Sequence, residues 1–271
     1  MQKKFKAISI LITLVGLLLL SACGTDTAEG EDKVTLKISA ASVPHAEILE
    51  HVEEDLSEEG IELDIAIVSD GIQTNQQTAD GQLDANFFQH TPYLEQVNED
   101  SNLDLVNVAG IHIEPFGVYS REIDNIEDLS EGAKVSIPKD PVNFSRALEL
   151  LAANGVIELD DSKTSDFLLQ DITKNEKDLE FVPVDTELLV HSLDDVEASA
   201  ITTNYALEGG FTPLEDALII EDSESPYVNI LVARPDNQDD EAIQKLSYIL
   251  KSDKVKQFIE NEYNGAVVPV F

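Results

Sequence analysis

"AKVSIPKDPVNFSRALELLAANG", Ala133 to Gly155, decides the fold class. Val135 and Ile137 alternate with polar neighbours, as in a strand with one buried face. "DPVNFSRALELLAANG" (140–155) then reads as the clearest helix in the chain, and Arg146, Leu148, Leu150 and Leu151 lie on it. Gly155 supplies its stop signal. A strand that runs into a helix within a few residues is half of a β-α-β unit.

Working outward, the pattern recurs on both sides. Towards the N-terminus, "VTLKISAA" (34–41), "IELDIAIV" (61–68), "LDANFF" (83–88) and "LDLVNVAGIHI" (103–113) read as strands. Between them, Ile48, Leu49, Val52 and Leu56 fall at helical spacing after Pro44, and helices are expected over 73–80 and from Pro92 to Val97. Towards the C-terminus, "LEFVPV" (179–184), "EASAIT" (197–202) and "YVNILVAR" (227–234) read as strands, with helices over 241–250 and 254–262. Strands separated by helices imply α/β units with parallel pairing. Two successive groups of such units suggest two lobes. "GIHIEPFGVYS" (110–120) and "SPYVNILVAR" (225–234) are long enough to cross between them as strands and make a hinge. The boundaries read from this are 34–112 plus 231–271 for one lobe and 113–230 for the other. A ligand is expected in the cleft, at the strand-end crevices.

The N-terminus reads differently. Lys3, Lys4 and Lys6 precede an apolar run over 7–20 that ends in Leu20-Ser21-Ala22-Cys23. The run is short for a spanning helix and has the form of a signal peptide over 1–22. The last four residues resemble a bacterial lipobox, which implies cleavage before Cys23 and a lipid on its thiol. Cys23 is the one cysteine, so no intrachain disulfide can form. Residues 23–33 have no hydrophobic periodicity and read as a flexible tether. These features place the protein on the extracytoplasmic face of a cell membrane, lipid-anchored.

The formal net charge is −37, and removal of the three leader lysines makes the mature chain more acidic still. Such a field repels nucleic acid and anionic lipid headgroups. It suits a hydrated surface facing a salty or alkaline exterior. No P-loop, Gly-x-Ser-x-Gly elbow, His-x-x-x-His or His-Glu-x-x-His occurs, so neither an enzyme, a cofactor nor a metal site is expected. What remains is a set of polar groups at strand ends and helix starts. Gln89, His90 and Tyr93 follow one strand, Asn143 and Arg146 open a helix, Thr202, Thr203, Asn204 and Tyr205 follow another strand, and Tyr227 and Asn229 sit in a crossing segment. An α-amino acid needs such groups: a guanidinium for its carboxylate, amide oxygens for its ammonium and aromatics for its side chain.

"LDANFFQHTPYL" (83–94), "HIEPFGVYS" (112–120), "VSIPKDPVNFSRALELL" (135–151), "TTNYALEGGFTP" (202–213) and "ESPYVNILVAR" (224–234) together resemble the NlpA/MetQ family, the methionine-binding lipoproteins of ABC importers. The resemblance implies a two-lobed periplasmic-binding-protein fold. It further implies a monomer that delivers methionine or a related amino acid to a membrane permease and its ATPase. Phe88 and Tyr93 match the family's aromatic wall, His90 its pocket histidine, Arg146 its carboxylate-binding arginine and Asn229 a polar ligand contact. Asn143 is either a further ligand contact or a helix cap. Two positions depart from the family pattern: Gly71 replaces a tyrosine, and Thr202 replaces an asparagine, with Asn204 two residues on. The expected consequence is a wider, wetter pocket suited to a larger amino acid or a short peptide, unless a neighbour such as Gln73 fills it. An adhesin that kept the fold and lost transport is the rival from another class.

Overall fold

The computed structural model describes residues 33–68, 70–222 and 224–271; the leader, Cys23 and the tether up to residue 32 lie outside the described residues. Strand β1 (Val34–Ala40) leads through a helical turn, Ser42–Ala46, into α1 (Glu47–His51) and α2 (Glu53–Glu58). These bury Ile48, Leu49 and Leu56 on the sheet and return the chain to β2 (Ile61–Ile67), parallel to β1 with Val34 opposite Ile61. The α3 (Gly71–Ala79) crossover then brings β3 (Ala85–His90) parallel to the other edge of β1. α4 (Thr91–Ser101) and β4 (Val106–Ile113) follow. β12 (Val228–Ala233) inserts antiparallel between β3 and β4, and β13 (Val268–Pro269) closes the far edge. The six strands run in the order β13-β4-β12-β3-β1-β2.

The second sheet is built around residues 133–155. β6 (Lys134–Pro138) pairs parallel with β9 (Glu180–Val184) and β10 (Ala198–Ile201). β5 (Gly117–Tyr119) and β11 (Ile219–Ile220) add antiparallel, giving the order β11-β5-β10-β6-β9. β7 (Glu158–Leu159) and β8 (Ile172–Lys174) form a separate ribbon. α5 (Pro141–Ala153) lays Ala147, Leu148 and Leu151 against Val135, Ile137 and Ala198. α6 (Leu189–Ser192), α7 (Thr203–Glu208) and α8 (Pro213–Asp216) complete this side. The last helices, α9 (Glu241–Leu250) and α10 (Asp253–Tyr263), bury Ile243, Leu246, Val255 and Ile259 in the core of the first sheet, with Leu36 and Ile38.

The chain crosses between the sheets twice, at 114–116 and between β11 and β12. Residues 114–116, 221–222 and 224–227 are irregular, where continuous strands were expected. Pro115 has no N–H to offer a ladder, and the Phe116 N–H donates to Glu221 Oε2 at 3.1 Å instead of to a strand. Two further expectations are corrected. Gln89 and His90 lie within β3 rather than after it, because β12 continues the pairing, with Ile230 opposite Gln89 and Asn229 opposite His90. The cap of α5 is Asp140, and Asn143 is the group it caps: Asp140 Oδ1 accepts from the Asn143 N–H at 2.9 Å.

The same carboxylate accepts from Asn143 Nδ2 and from Thr186 Oγ1, so it fixes both the start of α5 and the side chain of Asn143. Asp140→Ala is expected to remove about 1 kcal/mol of stability, a fall in Tm of about 2–4 °C for a body of this size. Asp140→Asn, which keeps the acceptor, should recover most of it; differential scanning calorimetry of the three proteins checks both.

Candidate functional site

Between the two sheets lies a cavity of about 360 Å³, within the roughly 300–1,000 Å³ of small-molecule sites. From the first sheet it is lined by Phe88, Gln89, His90 and Tyr93, with Gly71 at the start of α3. From the second come Asp140, Asn143 and Arg146 at the start of α5, and Thr202, Asn204 and Tyr205 at the β10–α7 junction. The crossings contribute Glu114, and β12 contributes Asn229. All nine residues singled out from the sequence as ligand contacts therefore border one cavity: Gly71, Phe88, His90, Tyr93, Asn143, Arg146, Thr202, Asn204 and Asn229.

His90 ends β3 and caps α4. Its Nδ1 accepts the Tyr93 N–H at 3.2 Å, which leaves the proton on Nε2, facing Asn143 Oδ1 at 3.1 Å. The imidazole thus joins the first sheet to α5 across the cleft. Burial, reinforced by the nearby Arg146 guanidinium, lowers its pKa to about 3 and holds it neutral. Beside it, Phe88 and Tyr93 meet edge to face, with centroids 6.3 Å apart.

Behind Asn229 stands a group that no local spacing in the sequence announces: His45, His112 and Glu114. His112 Nε2 donates to Glu114 Oε1 at 2.8 Å, and His45 Nε2 donates to Asn229 Oδ1 at 3.1 Å. Glu114 Oε2 accepts the Asn204 N–H at 3.0 Å, so the same carboxylate positions one of the cavity's amides. Burial lowers the pKa of His45 to about 4 and of His112 to about 3, and raises that of Glu114. Two imidazoles and a carboxylate with converging donors have the chemistry of a zinc set. Here the Nε2 and Oε1 atoms are already engaged with one another and with Asn229. Among the described residues, His112 Nδ1 lacks an acceptor of the kind that orients metal-bound histidines. The arrangement is a hydrogen-bonded floor.

Arg146 is 3% exposed. Its Nε and Nη2 donate to the two Glu221 carboxylate oxygens at 2.8 and 2.6 Å, and Nη2 also donates to the Glu114 carbonyl at 2.9 Å. The guanidinium stacks on Tyr227, 4.0 Å from its centroid, and lies 5.1 Å from that of Phe116. Among the described residues, Nη1 is its one nitrogen without a hydrogen-bond partner.

Position 71 corrects the expected enlargement. A Cβ built there would lie 2.8 Å from Tyr93 Oη and 3.0 Å from Phe88 Cε2. The two aromatics have closed over the space that a side chain at 71 would claim, and Gln73 points to solvent. Thr202, on the cavity wall, keeps a buried hydroxyl with no partner among the described residues.

A model of the NlpA lipoprotein family matches residues 36–271. The chain belongs to the NlpA lipoprotein family. Methionine-binding lipoprotein MetQ of Bacillus subtilis (strain 168) is 38% identical, with 99% of each chain covered. The structure of a nutrient binding protein from Burkholderia cenocepacia bound to methionine superposes with a TM-score of 0.84 at 35% identity, covering 87% of this chain and 100% of that one. A periplasmic substrate-binding protein of an ABC transporter from Coxiella burnetii gives 0.82 at 33% identity, over 87% and 100%. The fold is accordingly the two-lobed one of periplasmic substrate-binding proteins, and NlpA family members are binding proteins rather than enzymes. No helix among the described residues is long and apolar enough to cross a membrane.

The buried histidines of this NlpA protein set an acid limit. His45, His90 and His112 have folded pKa values of about 4, 3 and 3, against 6.5 when unfolded. The unfolded chain therefore binds more protons between those values, and the stability they confer is complete above about pH 6.5 and lost as pH falls through it. Glu114 and Asp140, whose pKa values are raised by burial, act oppositely and offset part of the loss. Tm is expected to fall from pH 7 to pH 5, with each histidine withdrawing about 1–2 kcal/mol at pH 5. His112→Asn should flatten the slope of Tm against pH whatever its effect at pH 7.

Proposed function

We propose that this NlpA protein is the lipid-anchored, extracytoplasmic substrate-binding protein of an ABC importer, and that its cavity takes an α-amino acid with an unbranched apolar side chain, methionine foremost. The observation that carries the reading is the distribution of chemistry around the cavity. Among the described residues, Arg146 is the one guanidinium of the lining and has a nitrogen, Nη1, to offer a carboxylate. Glu114, Asn204 and Asn229 gather carboxylate and amide oxygens suited to an ammonium group. Phe88 and Tyr93 supply the apolar wall. A zwitterion with an apolar tail satisfies all three. Among the relatives, the Burkholderia protein is described bound to methionine, and the Bacillus one is named for binding it.

Arg146, Asn229, Asn204 and Asn143 serve as polar contacts in this reading, His90 and Thr202 as further ones, and Phe88, Tyr93 and Gly71 as the side-chain wall. Gly71 lets the wall close, so the reading favours a single amino acid over a larger ligand. In this reading the lobes follow the two sheets, so the boundaries expected at 112/113 and 230/231 move to the end of β4 (Ile113) and the start of β12 (Val228); closure about the crossings would enclose the ligand for delivery to the permease. Cys23, the lipid attachment point of this reading, lies outside the described residues.

Isothermal titration of the tether-free body with L-methionine tests the ligand. One-site binding is expected, weakened by roughly 10–100-fold in Phe88→Ala, because burying an aromatic side chain is worth about 1.5–3 kcal/mol. A flat titration of a wild-type protein whose intact mass shows no retained ligand would discard methionine. Cys23→Ala in the full chain is expected to remove the mass of the acyl groups and to alter processing or membrane retention; unchanged mass and unchanged detergent partitioning would discard the anchor.

A further inference from the structure

Arg146 is buried with five N–H donors and one positive charge, in a cavity that also contains Glu114 and Asp140 and close to the charge of Glu149. An arginine so placed has several carboxylates to choose from. What selects among them is Glu221, 75 residues away in sequence and on the second crossing. Its carboxylate takes the Nε–Nη2 edge as a bidentate fork, at 2.8 and 2.6 Å. Its Oε2 also accepts the Phe116 N–H of the first crossing at 3.1 Å. Tyr227, on the same crossing as Glu221, covers one face of the guanidinium. Neither Glu221 nor Tyr227 borders the cavity, whereas Arg146 does.

We propose that Glu221 is the positioning residue of the carboxylate site: by occupying the Nε–Nη2 edge of Arg146 and tying it to both crossings, it presents Nη1 to the ligand's carboxylate in one fixed orientation. This rests on the reading of the cavity as an amino-acid site. The Arg146–Glu221 pair is close to neutral as a unit, so a ligand carboxylate gains from it through geometry rather than net charge. Without Glu221 the fork edge is free to turn onto the carboxylate of Glu114 or Glu149, and the ligand meets a guanidinium already spent. The position also explains why a carboxylate contact reaches the hinge. The atom that binds it belongs to a side chain bonded to both segments that must move when the lobes close.

The test separates orientation of the carboxylate site from general support of the fold. L-methionine and L-methioninamide share the ammonium group and the side chain, and only the first has the carboxylate. Both are titrated onto the wild-type body and onto Glu221→Gln, which keeps the volume and loses the charged fork. The expected result is a loss of tenfold or more for L-methionine, a change of under threefold for L-methioninamide, and therefore a collapse of the wild-type preference for the free acid. Glu221→Asp, which keeps the charge but falls one methylene short of the fork, should show the same selective loss and serves if the glutamine variant does not fold. Equal losses for both ligands would make Glu221 a prop of the hinge and overturn the proposal. So would unchanged or tighter methionine binding, in which case competition for the guanidinium outweighs its orientation. If the wild type binds neither ligand, the amino-acid reading itself falls. A wild type that binds both with no preference for the free acid removes the carboxylate site that Glu221 is proposed to order.

Discussion

A guanidinium taken out of water must find its counter-charge inside the protein, and much of the site follows from how Arg146 finds one. Moving an unpaired ion into the interior is costly enough that a buried arginine persists only with a carboxylate and further hydrogen bonds around it. Arg146 obtains these from both crossings, through Glu221, the Glu114 carbonyl and the stacked Tyr227 ring. The two sheets are each held by their own apolar core. The polar constellation at Arg146 therefore belongs to the segments that join the sheets.

A second buried carboxylate, that of Glu114, is handled differently. It has neutral imidazoles around it and a backbone N–H from the start of α7. Desolvation holds the imidazoles uncharged and pushes the carboxyl upward. The floor of the cavity is therefore polar and hydrogen-bonded without being rich in fixed positive charge. In the proposed reading such a floor suits a ligand ammonium, because it offers oxygen acceptors and its imidazoles are uncharged.

The aromatic wall shows how a small residue acts at a distance. Gly71 has an ordinary backbone conformation, so its role is room rather than flexibility. Tyr93 Oη and Phe88 Cε2 approach to where a Cβ would stand. The space a side chain would take at this position is occupied by the ends of Tyr93 and Phe88. Inference from a substitution pattern alone reads the deletion as added volume, and the packing reads it as a change in where the wall stands.

Periodicity and turn chemistry are local, and what they determine could be read directly from the sequence: the α/β class, the order of strands and helices, and the helix over Pro141–Ala153 with its buried leucines. The resemblance to a family of lipoproteins further named Phe88, His90, Tyr93, Arg146 and Asn229, which the fold brings to one cavity. One helix start slipped by two residues, from the expected 73 to Gly71, where the side chain of Asp70 caps it outside the apolar pattern. Only the tertiary structure joined Glu221 to Arg146, His45 to Asn229, and Glu114 to both His112 and Asn204. Most of these partners lie 75 or more residues apart in sequence, and even the neighbours His112 and Glu114 meet only where the sheet ends. Which acid, among 54, finds the buried arginine is settled by strand order and by where the two crossings pass. A carboxylate carries no mark in sequence of the dielectric it will occupy; burial assigns that, and burial is a property of the assembled sheets.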